Sequence, residues 1–353
     1  MSAQQQRVKG ALYGLFVGDA TSMPVHWMYN LSQLQRDYGT IRGFVKPKDK
    51  FQGSILNLSN TGGGGRGSDR GSIVGDVILH GKKQYWLRGG NNHYHRGLQA
   101  GENTLEAQLV RVLLRSSVDN KTYSPQVFLD NYINFMTTPG SHNDTYASTC
   151  HRMFFANHVQ NIAPNKCADN DGHNVDAIDA LTLTIPVIIH YRNESKELRN
   201  QMVKQTVNLT RKTNALDRYL EAYSDLLVSV LNGGDLRESV ETTAQQLYGP
   251  SASMRDIVSR SRGSDPMVAC YMNSSFPALL HFAYKYADSV EAAVLACANA
   301  GGENVARGSA LGALLGAAHG YPNGFPDWAR EGLYDKSSIL QEIDNFIALS
   351  EAQ

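Results

Sequence analysis

The stretch ANAGGENVARGSALGALLGAAHG, residues 298–320, decides how this chain folds. Its second half is built mainly of Gly, Ala and Leu, with apolar residues at helical spacing. Gly308, Gly312 and Gly316 are four residues apart, so they share one face of a helix. Because glycine has no side chain, this face predicts a helix whose backbone packs directly against a second helix.

Polar residues precede this glycine face. The pair Gly301–Gly302 predicts a turn, and Glu303, Asn304 and Arg307 follow it at the start of the helix. The free N–H groups and the dipole at a helix N-terminus favour an acidic side chain there. The stretch is typical either of a site at the end of a core helix or of a packing helix capped by glycine. The residues alone leave both interpretations open.

The glycine pattern recurs near the N-terminus, in RVKGALYGLFVGDA, residues 7–20. Apolar residues at helical spacing predict a buried helix, and Gly14 and Gly18 again indicate close packing. Asp19 ends the apolar run, and a buried carboxylate needs partners, so it is either a hydrogen-bonded structural residue or a site residue. His26 follows in an apolar setting, where a lone histidine is more often part of the core than a ligand.

Composition excludes some classes of function. The chain has 353 residues, with 33 Lys and Arg against 33 Asp and Glu. This balance gives no electrostatic reason to expect a nucleic acid or a membrane surface as partner. Four cysteines without a CxxC pair predict no disulfide framework and favour a reducing, cytoplasmic location. We expect neither a signal peptide nor a transmembrane segment.

Residues 38–101 differ from the rest because they are rich in Gly, Ser, Asn and Lys and show little helical period. They predict a long ordered excursion or a pair of short strands, not a second domain. The run TGGGGRGSDRG (61–71) can present N–H groups to an anion, but it matches no phosphate-binding motif, and a surface loop is the alternative. His93 and His95 are a weak metal-binding pair, because they share a face only on a strand.

From Thr104 onward the chain is predicted to be helical. The segment 124–137 begins with a serine and a proline suited to a helix start. Two further helices are separated by a break near Thr213, and residues 337–350 form the last helix. The sequence therefore predicts an all-α protein, with a single domain over residues 1–353 and one long Gly-rich loop insertion.

Two polar groups flank these helices. Glu102 and Asn103 lie at the N-terminal end of the helix that starts at Thr104. His142, Asn143, Asp144 and Thr145 form a polar cluster at the entry of another helix. The alternative for this cluster is a helix cap, since Asn and Asp both favour that position.

Four segments carry a family resemblance: GALYGLFVGDA, GENT, SVEAAVLACANAGGEN and GSALGALLGAAHG. Their order resembles the ADP-ribosylglycohydrolase superfamily along most of the chain. HYHRGLQAGENTLEAQ and SHNDTYASTCHRMFF are most similar to a branch that contains the J-type lens crystallins of jellyfish and selenoprotein J. The resemblance implies an orthogonal all-α bundle with a central cleft and two magnesium ions. It also implies cleavage of a glycosidic bond at the anomeric carbon of ADP-ribose.

The resemblance places the family's first metal motif, Thr-Asp-Asp-Thr, on Gly101–Thr104. Only Thr104 is kept, because Glu102 and Asn103 stand where the family has aspartates. The acidic residue that many members carry after the N-terminal Gly-Asp pair corresponds to a position near His26.

The second metal motif, Gly-Gly-Asp-Thr-Asp-Thr, corresponds to residues 301–306. Glu303 stands for the first aspartate, and Val305, which cannot bind magnesium, stands for the second. Two hard cations need several carboxylate oxygens. The remaining donors, Glu102, Thr104 and Glu303, are enough for one magnesium ion and too few for two.

The resemblance also suggests roles without a metal. Glu102 and Glu303 can act as general acid and base on a glycosidic bond, with Asp144 completing the catalytic group. Arg307 can bind a phosphate group or pair with one of the glutamates where a metal would otherwise lie. The remaining candidate substrate-binding residues are Asp19, His26, Asn103, His142, Asn143 and Asn304.

Three hypotheses follow from the sequence. The first is a hydrolase that acts on an ADP-ribosyl or related nucleotide-sugar glycoside, either a small molecule or an ADP-ribosylated substrate. The second is a crystallin-like structural protein of the eye lens with little or no activity. The third is a binding module that retained the cleft and lost turnover. The first is the expectation at the level of the fold, and fold alone does not fix function.

Overall fold

The chain folds into α-helices joined by turns and short 3-10 segments. The computed structural model describes residues 1–56, 72–86 and 90–351, and within these ranges it contains no β-strand. The prediction of an all-α protein is therefore confirmed. The α-helices of these ranges, in chain order, are α1 (Ala3–Ser22), α2 (Leu31–Tyr38), α3 (Leu105–Asp119), α4 (Pro125–Thr137), α5 (Thr149–His158), α6 (Thr184–His190), α7 (Lys196–Asn208), α8 (Asp217–Leu231), α9 (Leu236–Tyr248), α10 (Met254–Arg260), α11 (Met272–Lys285), α12 (Val290–Asn299), α13 (Val305–His319), α14 (Asp327–Gly332) and α15 (Lys336–Glu351).

Helices α1 and α13 form the centre of the fold, and their glycines meet in antiparallel order. Gly10 faces Gly316, Gly14 faces Gly312 and Gly18 faces Gly308. A Cβ atom on Gly14 would lie 2.0 Å from the carbonyl oxygen of Gly312, and one on Gly18 would lie 1.9 Å from that of Gly308. The predicted backbone-to-backbone packing is confirmed, and we call this contact the glycine seam.

Helix boundaries follow the local signals in the sequence. The α4 helix begins after Ser124, whose hydroxyl accepts a hydrogen bond from the N–H of Val127. Pro24 lies in the 3-10 turn Met23–Val25 that follows α1. Helices α7 and α8 are separated at the predicted break near Thr213.

The region 38–101 contains a π-helix, Ser72–Ile78, and a 3-10 helix, Lys83–Trp86. Its described parts contain no strand, and the alternative of a strand pair is reduced to one isolated antiparallel bridge between Lys50 and Asn92. The glycine run 61–71 lies outside the described residues. All four cysteines are described, and each is a free thiol, as expected without a disulfide framework. Within the described ranges, none of the helices combines the length and hydropathy needed to cross a membrane.

Candidate active site

A narrow pocket lies where the end of α1 meets the start of α13. Its volume is about 30 Å³, enough for about two water-sized groups. In the part of the chain that the structure describes, no lysine or arginine lines it. The acidic side chains that line it are Asp19, Glu106, Asp144, Asp179 and Glu303.

Part of the pocket lining is a continuous chain of hydrogen bonds that we call the histidine wall; it comprises Asp144, His95, His26 and Glu303. Asp144 Oδ1 lies 2.8 Å from His95 Nδ1, and His95 Nε2 lies 2.6 Å from His26 Nδ1. His26 Nε2 lies 2.8 Å from Glu303 Oε2. All four residues are buried. The wall thus connects two carboxylates through two imidazole rings.

Both carboxylates of the histidine wall are held in the ionised form. Burial alone would raise the pKa of Glu303, but the charge and hydrogen bond of His26 and the N–H of Ala306 outweigh it, so the pKa lies below its ordinary value. For Asp144, burial is likewise outweighed by His95 and by the N–H of Leu105, and the pKa is lowered.

The protons of the wall can be counted from its geometry. Each of its three hydrogen bonds requires one proton, and an ionised carboxylate brings none. His95 and His26 therefore share three protons, so one ring of the two is an imidazolium. The wall carries two negative charges and one positive charge, and it can pass a proton from ring to ring.

The pKa of Asp19 is shifted in the opposite direction from those of Glu303 and Asp144. Asp19 is fully buried, and burial raises its pKa to about 6, although hydrogen bonds from Thr104 and Asn103 lower it in part. Thr104 Oγ1 donates to Oδ1 at 2.6 Å, while the Thr104 N–H and Asn103 Nδ2 donate to Oδ2 at 2.8 and 2.9 Å. Asp19 is thus poised to gain or lose a proton near neutral pH.

Two turns hold the wall in place. Gly301 and Gly302 both have φ of +67°, and a Cβ atom on Gly302 would lie 2.5 Å from a backbone oxygen, so the turn requires glycine. The N–H of Trp27 donates to Gly302 O, and the N–H of Gly302 donates to Met28 O. Trp27 itself has φ of +57°, a strained conformation for a bulky residue, and its ring stacks on His26 at 3.8 Å. The strain accompanies the close fit of the tryptophan over the wall.

A second polar network contributes Glu106 and Asp179 to the pocket lining. Glu106 Oε1 lies 2.9 Å from His151 Nε2, and the Tyr132 hydroxyl lies 2.7 Å from His151 Nδ1. Although burial opposes it, the interaction with His151 keeps the pKa of Glu106 below its ordinary value. Arg211 pairs with Asp179 at 3.0 Å behind the pocket surface. This network supplies acidic groups without a cation on the pocket lining.

The structure brings together some of the sequence-predicted site residues. Asp19, His26, Thr104, Asp144 and Glu303 all line the pocket. Asp144 also caps a helix, but it accepts from the N–H of Leu105 at the start of α3 rather than from the helix that follows it in sequence. The polar cluster before α5 thus supplies one pocket residue.

Glu102, expected to face Glu303 across the pocket, lies outside the pocket lining. Its carboxylate accepts from the N–H of Gln99 and from Asn143 Nδ2, at 2.8 and 2.7 Å. The expected pair of glutamates is therefore replaced by Asp19 and Glu303. Asn143 is exposed, donates to Glu102 and does not line the pocket.

Arg307, expected to bind phosphate or to pair with a glutamate, is fully buried and does not line the pocket. Its Nη2 donates to Gly301 O at 3.0 Å, and its Nε donates to the sulfur of Cys297 at 3.4 Å. The hydrogen-bonded partner of Glu303 is His26, and Arg307 acts on Glu303 only through its charge, which helps to lower the pKa of that carboxyl. Arg307 thus supports the glycine turn and is not on the pocket surface.

The remaining candidate residues also contact backbone carbonyl oxygens. Asn103 Nδ2 donates to Phe16 O as well as to Asp19. Asn304 Nδ2 donates to the carbonyl oxygens of Val25 and Ala298. His142 Nε2 lies 3.4 Å from Ile78 O. Neither Asn304 nor His142 lines the pocket.

The residues present do not fit the two magnesium ions that the resemblance implies. Glu102 is directed elsewhere, the Thr104 hydroxyl donates to Asp19, and both oxygens of Glu303 are engaged by His26 and by the N–H of Ala306. In the described ranges, no group of three or more His, Cys, Asp or Glu side chains has a metal-binding arrangement. Magnesium needs near-octahedral oxygen ligands, and here imidazole rings stand beside the carboxylates.

Sequence reasoning missed several pocket residues: His95, Glu106, Ser148, Asp179 and Thr182. For His95, a signal was present in its spacing from His93, but only its own hydrogen bonds to Asp144 and His26 show that it joins distant segments. Glu106 and Asp179 carried no local signal, because each resembles an ordinary acidic residue in the first turn of a helix.

Comparisons with known proteins agree with this architecture. A solved structure described as an ADP-ribosylglycohydrolase-related protein complex is similar to the chain, with a TM-score of 0.66 and 16% sequence identity. The similarity covers 99% of this chain and 100% of that one, and it shows the fold. No curated protein matches in a sequence search. The family model of the ADP-ribosylglycohydrolases matches residues 1–353, and the chain therefore belongs to the ADP-ribosylglycohydrolase family.

Proposed function

We propose that this protein hydrolyses a glycosidic bond at the anomeric carbon of a ribosyl group, in an ADP-ribosyl or related nucleotide-sugar substrate. Membership of the family supports a hydrolase-like function. One observation within the pocket carries the proposal: Asp19 and Glu303 line the same small space, and their pKa values are moved in opposite directions. Two carboxylates of this kind are the usual acid and base of glycoside hydrolysis.

The roles follow from the protonation states. Glu303, which is ionised, accepts a proton from the attacking water in exchange for one of its present hydrogen bonds, to His26 or to the N–H of Ala306. Asp19, with a pKa near 6, donates a proton to the leaving atom. The bond from the water oxygen to the anomeric carbon forms as the bond to the leaving atom breaks. No metal takes part in this scheme, because the donors are engaged with one another.

The charge of the pocket suits the reaction and constrains the substrate. Glycoside cleavage passes through a sugar that carries developing positive charge, which nearby carboxylates stabilise. The same carboxylates repel phosphate. Because the cavity is only about 30 Å³, we expect the reacting end of the sugar to enter, with the diphosphate of an ADP-ribosyl group outside.

The experiment is a chromatographic assay for ADP-ribose release from ADP-ribosylated peptides that carry the modification on serine or arginine. We expect turnover by the parent protein, with and without EDTA, and a loss of at least about 100-fold in Glu303→Gln. Glu197→Gln is the matched control, because Glu197 is exposed on α7. No release from any substrate, or equal rates in Glu303→Gln, rejects the proposal. Loss of activity in EDTA that magnesium restores rejects the metal-free scheme alone.

A second candidate is the structural, crystallin-like role suggested by the sequence resemblance. It is favoured by the internal saturation of the histidine wall, in which four buried side chains bond to one another. Thermal unfolding with ADP-ribose distinguishes the two candidates. A rise in melting temperature that Glu303→Gln alters indicates a working pocket, whereas no shift and no turnover favour the structural role.

A further inference from the structure

The 3-10 turn Ile178–Leu181 presents two unsatisfied polar atoms at the pocket. Asp179 and Thr182 are three residues apart, and side chains at this spacing lie on the same face of a 3-10 turn. Both residues line the pocket. Within the described part of the chain, Asp179 Oδ1 and Thr182 Oγ1 are buried and have no hydrogen-bond partner. Thr182 is only 1% exposed.

The rest of the Asp179 carboxylate is firmly held. Arg211 Nη2 lies 3.0 Å from Oδ2, and Ser148 Oγ lies 3.0 Å from the same oxygen. Arg211 is itself fixed by a 3.0 Å hydrogen bond to Val175 O. One oxygen of the carboxylate is thus fixed, and the other remains an acceptor without a donor.

Unpaired buried polar atoms are costly, and in native proteins they commonly mark a site for a ligand or water. Here the free groups are one carboxylate oxygen, which only accepts, and one hydroxyl, which donates and accepts. Two neighbouring hydroxyl groups of a sugar match them: one donates to Asp179 Oδ1, and the other exchanges a hydrogen bond with Thr182 Oγ1. The pocket volume of about 30 Å³ admits small polar groups such as hydroxyls and excludes larger ones.

We propose that Asp179 and Thr182 bind the vicinal 2- and 3-hydroxyl groups of the ribosyl unit and thereby select ribosides over deoxyribosides. This inference rests on the proposed function for the choice of a ribosyl group. It adds the residues that determine specificity, which line the same pocket as the histidine wall.

The test measures binding and not turnover. Methyl β-D-ribofuranoside and its 2-deoxy and 3-deoxy analogues are titrated by calorimetry into the parent protein up to their solubility limits. We expect the riboside to bind about tenfold more tightly than either analogue. Because this comparison changes only the ligand, it needs no folded variant. Equal affinities for all three, or no binding of the riboside, overturn the proposal.

Variants then assign the hydroxyls. Thr182→Val removes the hydroxyl with little change of shape and is expected to weaken riboside binding about tenfold, with no further loss for the analogue that lacks the partner hydroxyl. Thr182→Ser, which retains the hydroxyl, should restore the affinity. Asp179→Asn is expected to weaken binding of the other hydroxyl. If Thr182→Val binds every riboside as the parent protein does, two waters are the occupants and the proposal is wrong.

The two proposals fail separately. Selective riboside binding that depends on Thr182, without cleavage of any ADP-ribosylated peptide, rejects the hydrolase function and keeps the hydroxyl subsite. Cleavage by a protein that binds ribosides and deoxyribosides equally keeps the hydrolase function and rejects the subsite.

Discussion

The glycine seam and the pocket are built on the same two helices and obey opposite rules. Along the seam, the backbones of α1 and α13 touch, and any side chain on Gly14 would meet the backbone oxygen of Gly312. At the pocket, α1 carries Asp19, and Glu303 lies just before the first residue of α13. The seam excludes every side chain and every charge, whereas the pocket gathers acidic groups.

The glycine seam positions the carboxylates of the pocket. Asp19 directly follows Gly18, a seam residue, and Glu303 lies just before the helix that contains Gly308. The close backbone contact fixes the distance between the acid and the base, because a rigid interface cannot be adjusted by side-chain rotation. The seam stabilises the folded state. The buried carboxylates of the pocket lower that stability, because they are held in the positions that the site requires.

The largest effect should come from filling the seam. In Gly312→Ala, the new Cβ atom would lie 2.0 Å from the carbonyl oxygen of Gly14, so the two helices must separate. We expect the free energy of unfolding to fall by about 3 kcal/mol or more, even though alanine is the better helix former. Urea denaturation followed by circular dichroism measures this change.

Gly43→Ala is the control for this substitution. Its Cβ atom would lie 3.6 Å from the ring of Trp328, an ordinary contact. The free energy of unfolding should change by less than about 1 kcal/mol. If Gly312→Ala and Gly43→Ala are equally stable, the backbones of α1 and α13 are not in direct contact at Gly312.

Much of the fold was predictable because it depends on local spacing. Glycines four residues apart predicted both faces of the seam, and Ser124 predicted the start of α4. A helix repeats its pattern of apolar residues at every turn, so each further turn supports the prediction of that helix. The orientation of the helices and the shape of the region 38–101 depend on contacts between distant residues, which leave no such period.

The site was predictable only in part for the same reason. Asp19 stood out because it ends a glycine-rich apolar run, and Glu303 because it directly precedes one. His95, by contrast, gains its role from Asp144, which is 49 positions away, and from His26, which is 69 positions away. Glu102 was expected in the pocket from its place in a motif, but a local hydrogen bond to Gln99 turns it away.

A smaller effect is the pH dependence of stability, which should arise near the pocket and not at the seam, because the seam contains no titratable group. His93 is buried beside the wall; burial above all, together with the charge of His95, lowers its pKa from 6.5 to about 3. Its ring lies 2.8 Å from Pro24 O and accepts from the N–H of His95. Between pH 6.5 and about 3 the unfolded chain binds a proton that the folded chain does not, so stability falls as the pH falls.

For this residue the loss is about 1.4 kcal/mol per pH unit, or about 2 kcal/mol at pH 5. In His93→Gln, which keeps a donor and an acceptor, this part of the pH dependence should disappear. The measurement is urea denaturation of both proteins at pH 7 and pH 5. If acidification destabilises the variant and the parent protein equally, His93 does not remain neutral in the folded state.

The smallest effect tests Asp19 as the acid of the proposed reaction. Its pKa of about 6 means that the protonated form decreases as the pH rises above that value. We expect kcat/KM for an ADP-ribosylated peptide to fall about tenfold between pH 7 and pH 8, since each pH unit removes about nine-tenths of the remaining acid. In Asp19→Asn the residual activity should lose this alkaline decline, because the titrating group is gone. A decline that persists in Asp19→Asn would assign the acid to another residue, and Asp19 would then be a structural carboxylate that holds Thr104 at the start of α3.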